Sequence, residues 1–144
     1  MVNIVARPAE AADRAVPGHW EGDLIIGKAN ASAIATLVER STGYVMLVHL
    51  PEGYKPEQVA PALIAKISTL PAALRRSLTW DQGAEMRDWK QVSIDADIDI
   101  FFCDPHSPWQ RATNENTNGL LRQYFPKGTD LSVHSAEHLS LIHI

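Results

Sequence analysis

The sequence holds one cysteine, Cys103, so no disulfide can close within the chain. That fits a reducing compartment, and the lone thiol at a strand end reads as a small buried apolar group. Long apolar runs are also missing. Tyr44 to Leu50 and Pro61 to Ala65 are the longest, far below the roughly 20 residues of a membrane span. The opening MVNIVARPAEAADRAVPGHW has no continuous apolar stretch of the kind a secretory signal needs. The expected setting is therefore cytoplasmic, with no membrane partner. Positive charge is short as well, with 13 Lys and Arg against 17 Asp and Glu and a formal charge of -4. A domain that grips nucleic acid by charge alone is usually basic, so that mode is disfavoured. Bound metal ions would supply positive charge by another route. No internal repeat or low-complexity segment is present.

What remains suits a folded α/β domain. The chain has 144 residues, 45% hydrophobic and 21% charged, enough for one domain with a sizeable core. Residues 1–17, rich in Ala, Pro and mixed charge, read as a linker or N-terminal arm, and 18–144 as the domain itself. Strands are expected at His19 to Ile26, Ala33 to Glu39 and Tyr44 to Leu50, separated by turn residues. Pro56 opens a helix on which Val59, Leu63, Ile67 and Leu70 recur at helical spacing, and Pro71 closes it. Ser77 to Trp80 is a short strand, Met86 to Ala96 a helix and Ile98 to Cys103 a buried parallel strand. Asn114 starts a last helix, which ends near Tyr124 before Pro126 and Gly128. A three-stranded antiparallel meander followed by alternating helices and strands implies a mixed sheet with helices on both faces. The ribonuclease H-like fold has this order.

Three acids stand out within that scheme. Asp23 lies in the first strand, Asp81 ends the fourth and Glu115 opens the last helix. Mg²⁺ prefers oxygen ligands, usually a few carboxylates with water and phosphate. Two such ions about 3.5–4 Å apart can activate a nucleophile and stabilise a leaving oxygen in phosphodiester chemistry. Singly, each acid also suits a plainer role, Asp23 and Asp81 as turn or cap residues and Glu115 as a helix-dipole partner. Glu21 shares a strand face with Asp23 and is an alternative ligand.

The motifs GHWEGDLIIG, LTWDQGAEM and FFCDPHSPWQRATNENTNGLLRQYFPKGTDLS closely resemble the insertion-sequence transposases of family thirty, within the DDE transposase and integrase superfamily. The resemblance runs from about Arg7 to about Leu139 and includes LVERSTGYVMLVHLP and LPAALRRSL. It implies that Asp23, Asp81 and Glu115 are the DDE triad, and the 33 residues between the last two match the family's separation. It further implies cleavage at an element's ends dependent on Mg²⁺ or Mn²⁺, most simply two ions. The 3′ hydroxyl is then joined to target DNA in a bacterial, nucleoid-associated setting. DNA and a second copy of the chain are the implied partners, since two ends are handled together. After Glu85-Met86 the family tends to place a histidine, whereas this chain has Arg87, Asp88, Trp89 and Lys90. Family members carry DNA-recognition helices upstream and an Asn-Arg-Pro segment downstream, so the chain is expected to be a truncated core ending at LSLIHI. The alternative to an active core is a catalytically inert remnant that acts only through protein association. A ribonuclease H or exonuclease shares the metal site but not the Glu115 motif.

Other residues join the candidate site. Asn114 and Asn118 flank Glu115 one helical turn apart, with Arg122 a turn further on. This stripe suits either phosphate contact or a solvated face. Trp109 can stack on an unpaired base or anchor the core, and Arg111 lies beside it. His106 is assigned a structural or phosphate-contact role. His19 and Trp20 are expected to brace the first strand, and Arg75-Arg76 to be solvated.

Overall fold

The computed structural model describes residues 3–4, 7–8, 16–81 and 83–103. Five strands form one sheet, β1 (His19–Ile26), β2 (Ala33–Glu39), β3 (Val45–Leu50), β4 (Ser77–Trp80) and β5 (Asp99–Phe102). Their spatial order is β3-β2-β1-β4-β5. The pairs β1–β2 and β2–β3 are antiparallel, as short turns allow. The pairs β1–β4 and β4–β5 are parallel, so each needs a crossover. Two helices supply them, α1 (Pro56–Ile67) between β3 and β4 and α2 (Trp89–Ala96) between β4 and β5. This is the expected mixed sheet.

Strand alternation sorts the sheet into two unlike faces. Trp20, Ala35, Leu37, Val48, Leu78, Trp80, Ile100 and Phe102 pack with Val59, Leu63 and Ile67 of α1 and Val92 and Ala96 of α2. Both described helices therefore cover the same face. The helix expected at Asn114 to Tyr124 lies outside the described residues. That second face carries Ile25, Ile34 and Val38, all buried, but also the buried polar residues His19, Glu21, Thr36, Ser77 and Thr79.

Element ends differ from the sequence reading where tertiary contacts intervene. Strand β3 starts at Val45, because Tyr44 sits in the hairpin turn with its carbonyl accepting from Glu39 N–H at 2.8 Å. Helix α1 stops at Ile67, and Leu70 N–H bonds the Ile67 carbonyl in a tighter turn before Pro71. Helix α2 begins at Trp89 rather than Met86, since Met86 enters the core from a separate 3₁₀ turn, Ala84–Met86. Asp97 ends α2 in the left-handed region at φ 53°, which Asp tolerates better than most residues. Within the segment read as an arm, Asn3 bridges Phe102 at the β5 edge and Ile4 is buried.

Candidate active site at the β1–β4 seam

The centre of the sheet is where its connectivity reverses. From β1 the chain runs outward through β2 and β3, and from β4 it runs outward to β5. In open α/β sheets, ligands bind beyond the carboxyl ends of the strands at such a switch point. Parallel pairing there joins His19 to Ser77, Trp20 to Leu78 and Glu21 to Thr79. Each pair is separated by 58 residues, as for His19 and Ser77. Carried two residues further, the same offset sets Asp23 level with Asp81. Adjacent strands lie about 4.8 Å apart, and the ladder ends at Glu21 and Thr79, two residues before each acid. Both residues are half-buried and on the polar face.

The residue before each acid explains how the site is built. Gly22 and Trp80 point to the apolar face, and a Cβ on Gly22 would come within 2.2 Å of the Trp80 ring. The glycine therefore leaves room for the indole to lie across β1. Trp80 is fully buried, and its Nε1 donates to Glu85 Oε1 at 3.1 Å. Its carbonyl accepts from Cys103 N–H at 2.9 Å, which ties the start of the Asp81 turn to β5. Each acid is then held by backbone. Leu24 N–H donates to Asp23 Oδ1 at 2.8 Å, and Gly83 N–H donates to Asp81 Oδ1 at 3.1 Å.

The integrase core domain family matches residues 13–108, two-thirds of the chain, and that span includes both aspartates. The chain belongs to the integrase core domain family. This integrase core is 54% identical over 142 residues to the transposase of insertion sequence element IS1086 of Cupriavidus metallidurans, covering 99% of the chain and 42% of that protein. It is 50% identical over 125 residues to the transposase InsI of element IS30A of Escherichia coli, covering 87% of the chain and 32% of that protein. The chain thus spans less than half the length of these curated relatives. In fold it resembles a chain of the simian T-cell lymphotropic virus intasome in complex with PP2A regulatory subunit B56 gamma. The TM-score is 0.65 at 20% identity, covering 88% of this chain and 47% of that one. These likenesses agree with the family resemblance read from the motifs and with a ribonuclease H-like α/β fold.

Among the described residues of the integrase core, no group of three or more His, Cys, Asp or Glu side chains gathers as a metal site. Asp23 and Asp81 are the described members of the expected triad. Glu115 lies outside the described residues, as do Trp109, Arg111, Asn114, Asn118 and Arg122. Glu21, the alternative acid, is fully buried and ion-paired with Arg40 at 3.0 Å, where the Arg40 side chain is 8% exposed. His19 and Trp20 brace β1 as expected, through His19 Nδ1 to Ser77 Oγ at 2.7 Å and Trp20 Nε1 to the Leu74 carbonyl at 2.9 Å. Arg75 departs from its solvated reading. It donates to the Ala96 carbonyl at 3.3 Å, where a cation complements the helix C-terminus. Among the described residues no helix is long and apolar enough to cross a membrane.

Sequence reasoning missed three partners of the seam. Arg40 was not singled out, although it pairs with Glu21 across the sheet. Arg7, in the arm, donates to Thr79 Oγ1 at 3.1 Å. Glu85 holds the Trp80 indole at the turn that carries Asp81. A buried-length strand with an acid beside Asp23 was a usable signal for a hidden cation, but nothing local says which arginine answers it.

Proposed function

We propose that this integrase core is the catalytic part of a DDE transposase, which cleaves DNA at the ends of an insertion sequence and joins the 3′ hydroxyl to target DNA. Asp23, Asp81 and Glu115 are the catalytic residues in this reading and hold the divalent cations, two Mg²⁺ or Mn²⁺ ions. The observation that supports it is the register of β1 and β4, whose last pair, Glu21 and Thr79, lies two residues before Asp23 and Asp81 at the switch point of an integrase core sheet. The donor set fits, because two half-buried carboxylates on a rigid seam are hard oxygen ligands of the kind these ions prefer. When bound, such ions supply activation of the attacking hydroxyl and stabilisation of the leaving oxygen.

The chain's own residues supply position and charge. Asp23 is anchored within the β1–β2 ladder beside Thr36, and Asp81 is held by the Gly83 N–H. Trp109, Arg111, Asn114, Asn118 and Arg122 are proposed DNA contacts on the segment that carries Glu115. With a formal charge of -4, the chain depends on bound cations to bring phosphate to an acidic centre. Self-association follows from handling two ends together, and a nucleoid-associated location follows from the substrate.

The test is nicking of supercoiled plasmid by the purified chain with Mn²⁺, beside Asp23→Asn and Glu115→Gln. The expected result is nicking by the parent chain and none above background by either variant. Equal background nicking by all three overturns catalytic competence.

A further inference from the structure

Directly beneath the acid pair, the polar face of the β1–β4 seam is tied on every strand. The seam is short, with three paired residues on each strand. His19 of β1 bonds Ser77 of β4 at 2.7 Å. In the last pair, Glu21 binds Arg40 at 3.0 Å on the β2 side, and Thr79 accepts from Arg7 at 3.1 Å. Arg40 itself is fixed by its backbone N–H, which donates to the His19 carbonyl at 2.8 Å. His19, Glu21, Ser77 and Thr79 are each at most 1% exposed.

Stability does not explain this construction. An apolar pair of similar volume generally holds a sheet as well as a buried ion pair, or better, because the charges lose their hydration. A strand buried on both faces ordinarily carries Val or Ile at such positions. Glu21 instead brings a third carboxylate onto the Asp23 face, one strand repeat away, and Arg40 cancels its charge in place.

We propose that Glu21 and Arg40 are positioning residues, whose buried ion pair anchors β1 two residues before Asp23 and so holds that acid in place beside β4, without Glu21 itself coordinating an ion. This rests on the reading of Asp23 and Asp81 as metal ligands. Outer partners of metal ligands commonly govern affinity by roughly 10- to 100-fold. The inference predicts that behaviour for a pair that touches no ion.

The test is calorimetric titration of the 144-residue chain with Mn²⁺, below the melting temperature of every variant. The double variant Glu21→Gln/Arg40→Gln leaves no unpaired buried charge. It is expected to keep the parent's Mn²⁺ stoichiometry and circular dichroism while its affinity falls roughly 10- to 100-fold. Unchanged affinity overturns the inference. A lost ion equivalent, as for Asp23→Asn, also overturns it by making Glu21 a ligand. If the double variant does not fold, Arg40→Lys is titrated instead, since it keeps the charge but changes the reach and shape of the cation. Weakened affinity at full stoichiometry then supports the inference, and unchanged affinity overturns it. A parent chain that binds no Mn²⁺ overturns the metal-site reading itself, a result distinct from any difference among variants.

Discussion

On one face of the sheet, Trp20, Leu78, Trp80, Ile100 and Phe102 meet two helices in an apolar core; on the other, β1 and β4 bury His19, Glu21, Ser77 and Thr79. Both faces exclude water, yet their energetics differ. Each fully buried large apolar side chain on the helix face adds about 1.5–3 kcal/mol by leaving water. Polar groups on the opposite face must first recover lost hydration through hydrogen bonds and ion pairs, so their net contribution is small. The difference teaches where each property resides. The helix face holds the strands together, and the polar face settles what stands at their ends.

The sharpest way to separate the faces is to remove charge from the polar one. Asp81→Asn or Asp23→Asn is expected to lower Mn²⁺-dependent nicking by at least about 100-fold, the upper end of what even an outer partner costs a metal site. Thermal melting without metal should move little, because both residues are half-buried and each keeps an oxygen for its backbone N–H. A comparable loss of stability in both variants would break the division.

The converse change is Leu63→Ala on the helix face, where Leu63 is fully buried. It should cost about 2–5 kcal/mol of unfolding free energy. Mn²⁺ affinity of the folded fraction should stay as in the parent. Denaturant melts and calorimetry on one preparation read both quantities.

Gly22→Ala tests the point where the faces meet. The added methyl meets the Trp80 ring, and overpacking of this kind costs about 1–3 kcal/mol. Trp80 immediately precedes Asp81, so stability and ion affinity should fall together. A variant that loses stability alone would show that the seam absorbs the strain before it reaches the acids.

The smallest expected effect lies at Glu39, the last residue of β2. Burial pushes the Glu39 carboxyl up, but the Ser41 and Thr42 hydroxyls and N–H groups outweigh it and hold the group below the usual glutamate range. A depressed carboxylate stabilises the fold above its ordinary range near pH 4.3, and the contribution is lost as pH falls through the lower folded value. Ser41→Ala with Thr42→Ala should therefore move the acid-unfolding midpoint to higher pH. Mn²⁺ affinity at neutral pH should be unaffected.

Much of the fold was legible because local rules set it. The bounds of β1, β2 and β4 follow from apolar runs closed by turn residues, and α1 follows from Pro56 and its four-residue apolar spacing. Misjudged ends have tertiary causes. Met86 is drawn into the core ahead of α2, and Tyr44 is held in the hairpin turn. The acids were legible as candidates, and the motifs around them as those of a transposase family, which the family match bears out in its broader form.

By itself, the sequence determined the order of the described elements and the family, since each depends on composition, periodicity or motif over short spans. It also supplied two acids, Glu21 and Asp23, on one strand face, and strand alternation cannot choose between them. The tertiary structure decided their environments. Pairing across 58 residues joined Glu21 to Thr79, two residues before Asp23 and Asp81, and Arg40, just past the neighbouring strand β2, took Glu21. Such pairings depend on which buried surfaces fit one another, and no spacing along the chain encodes that choice.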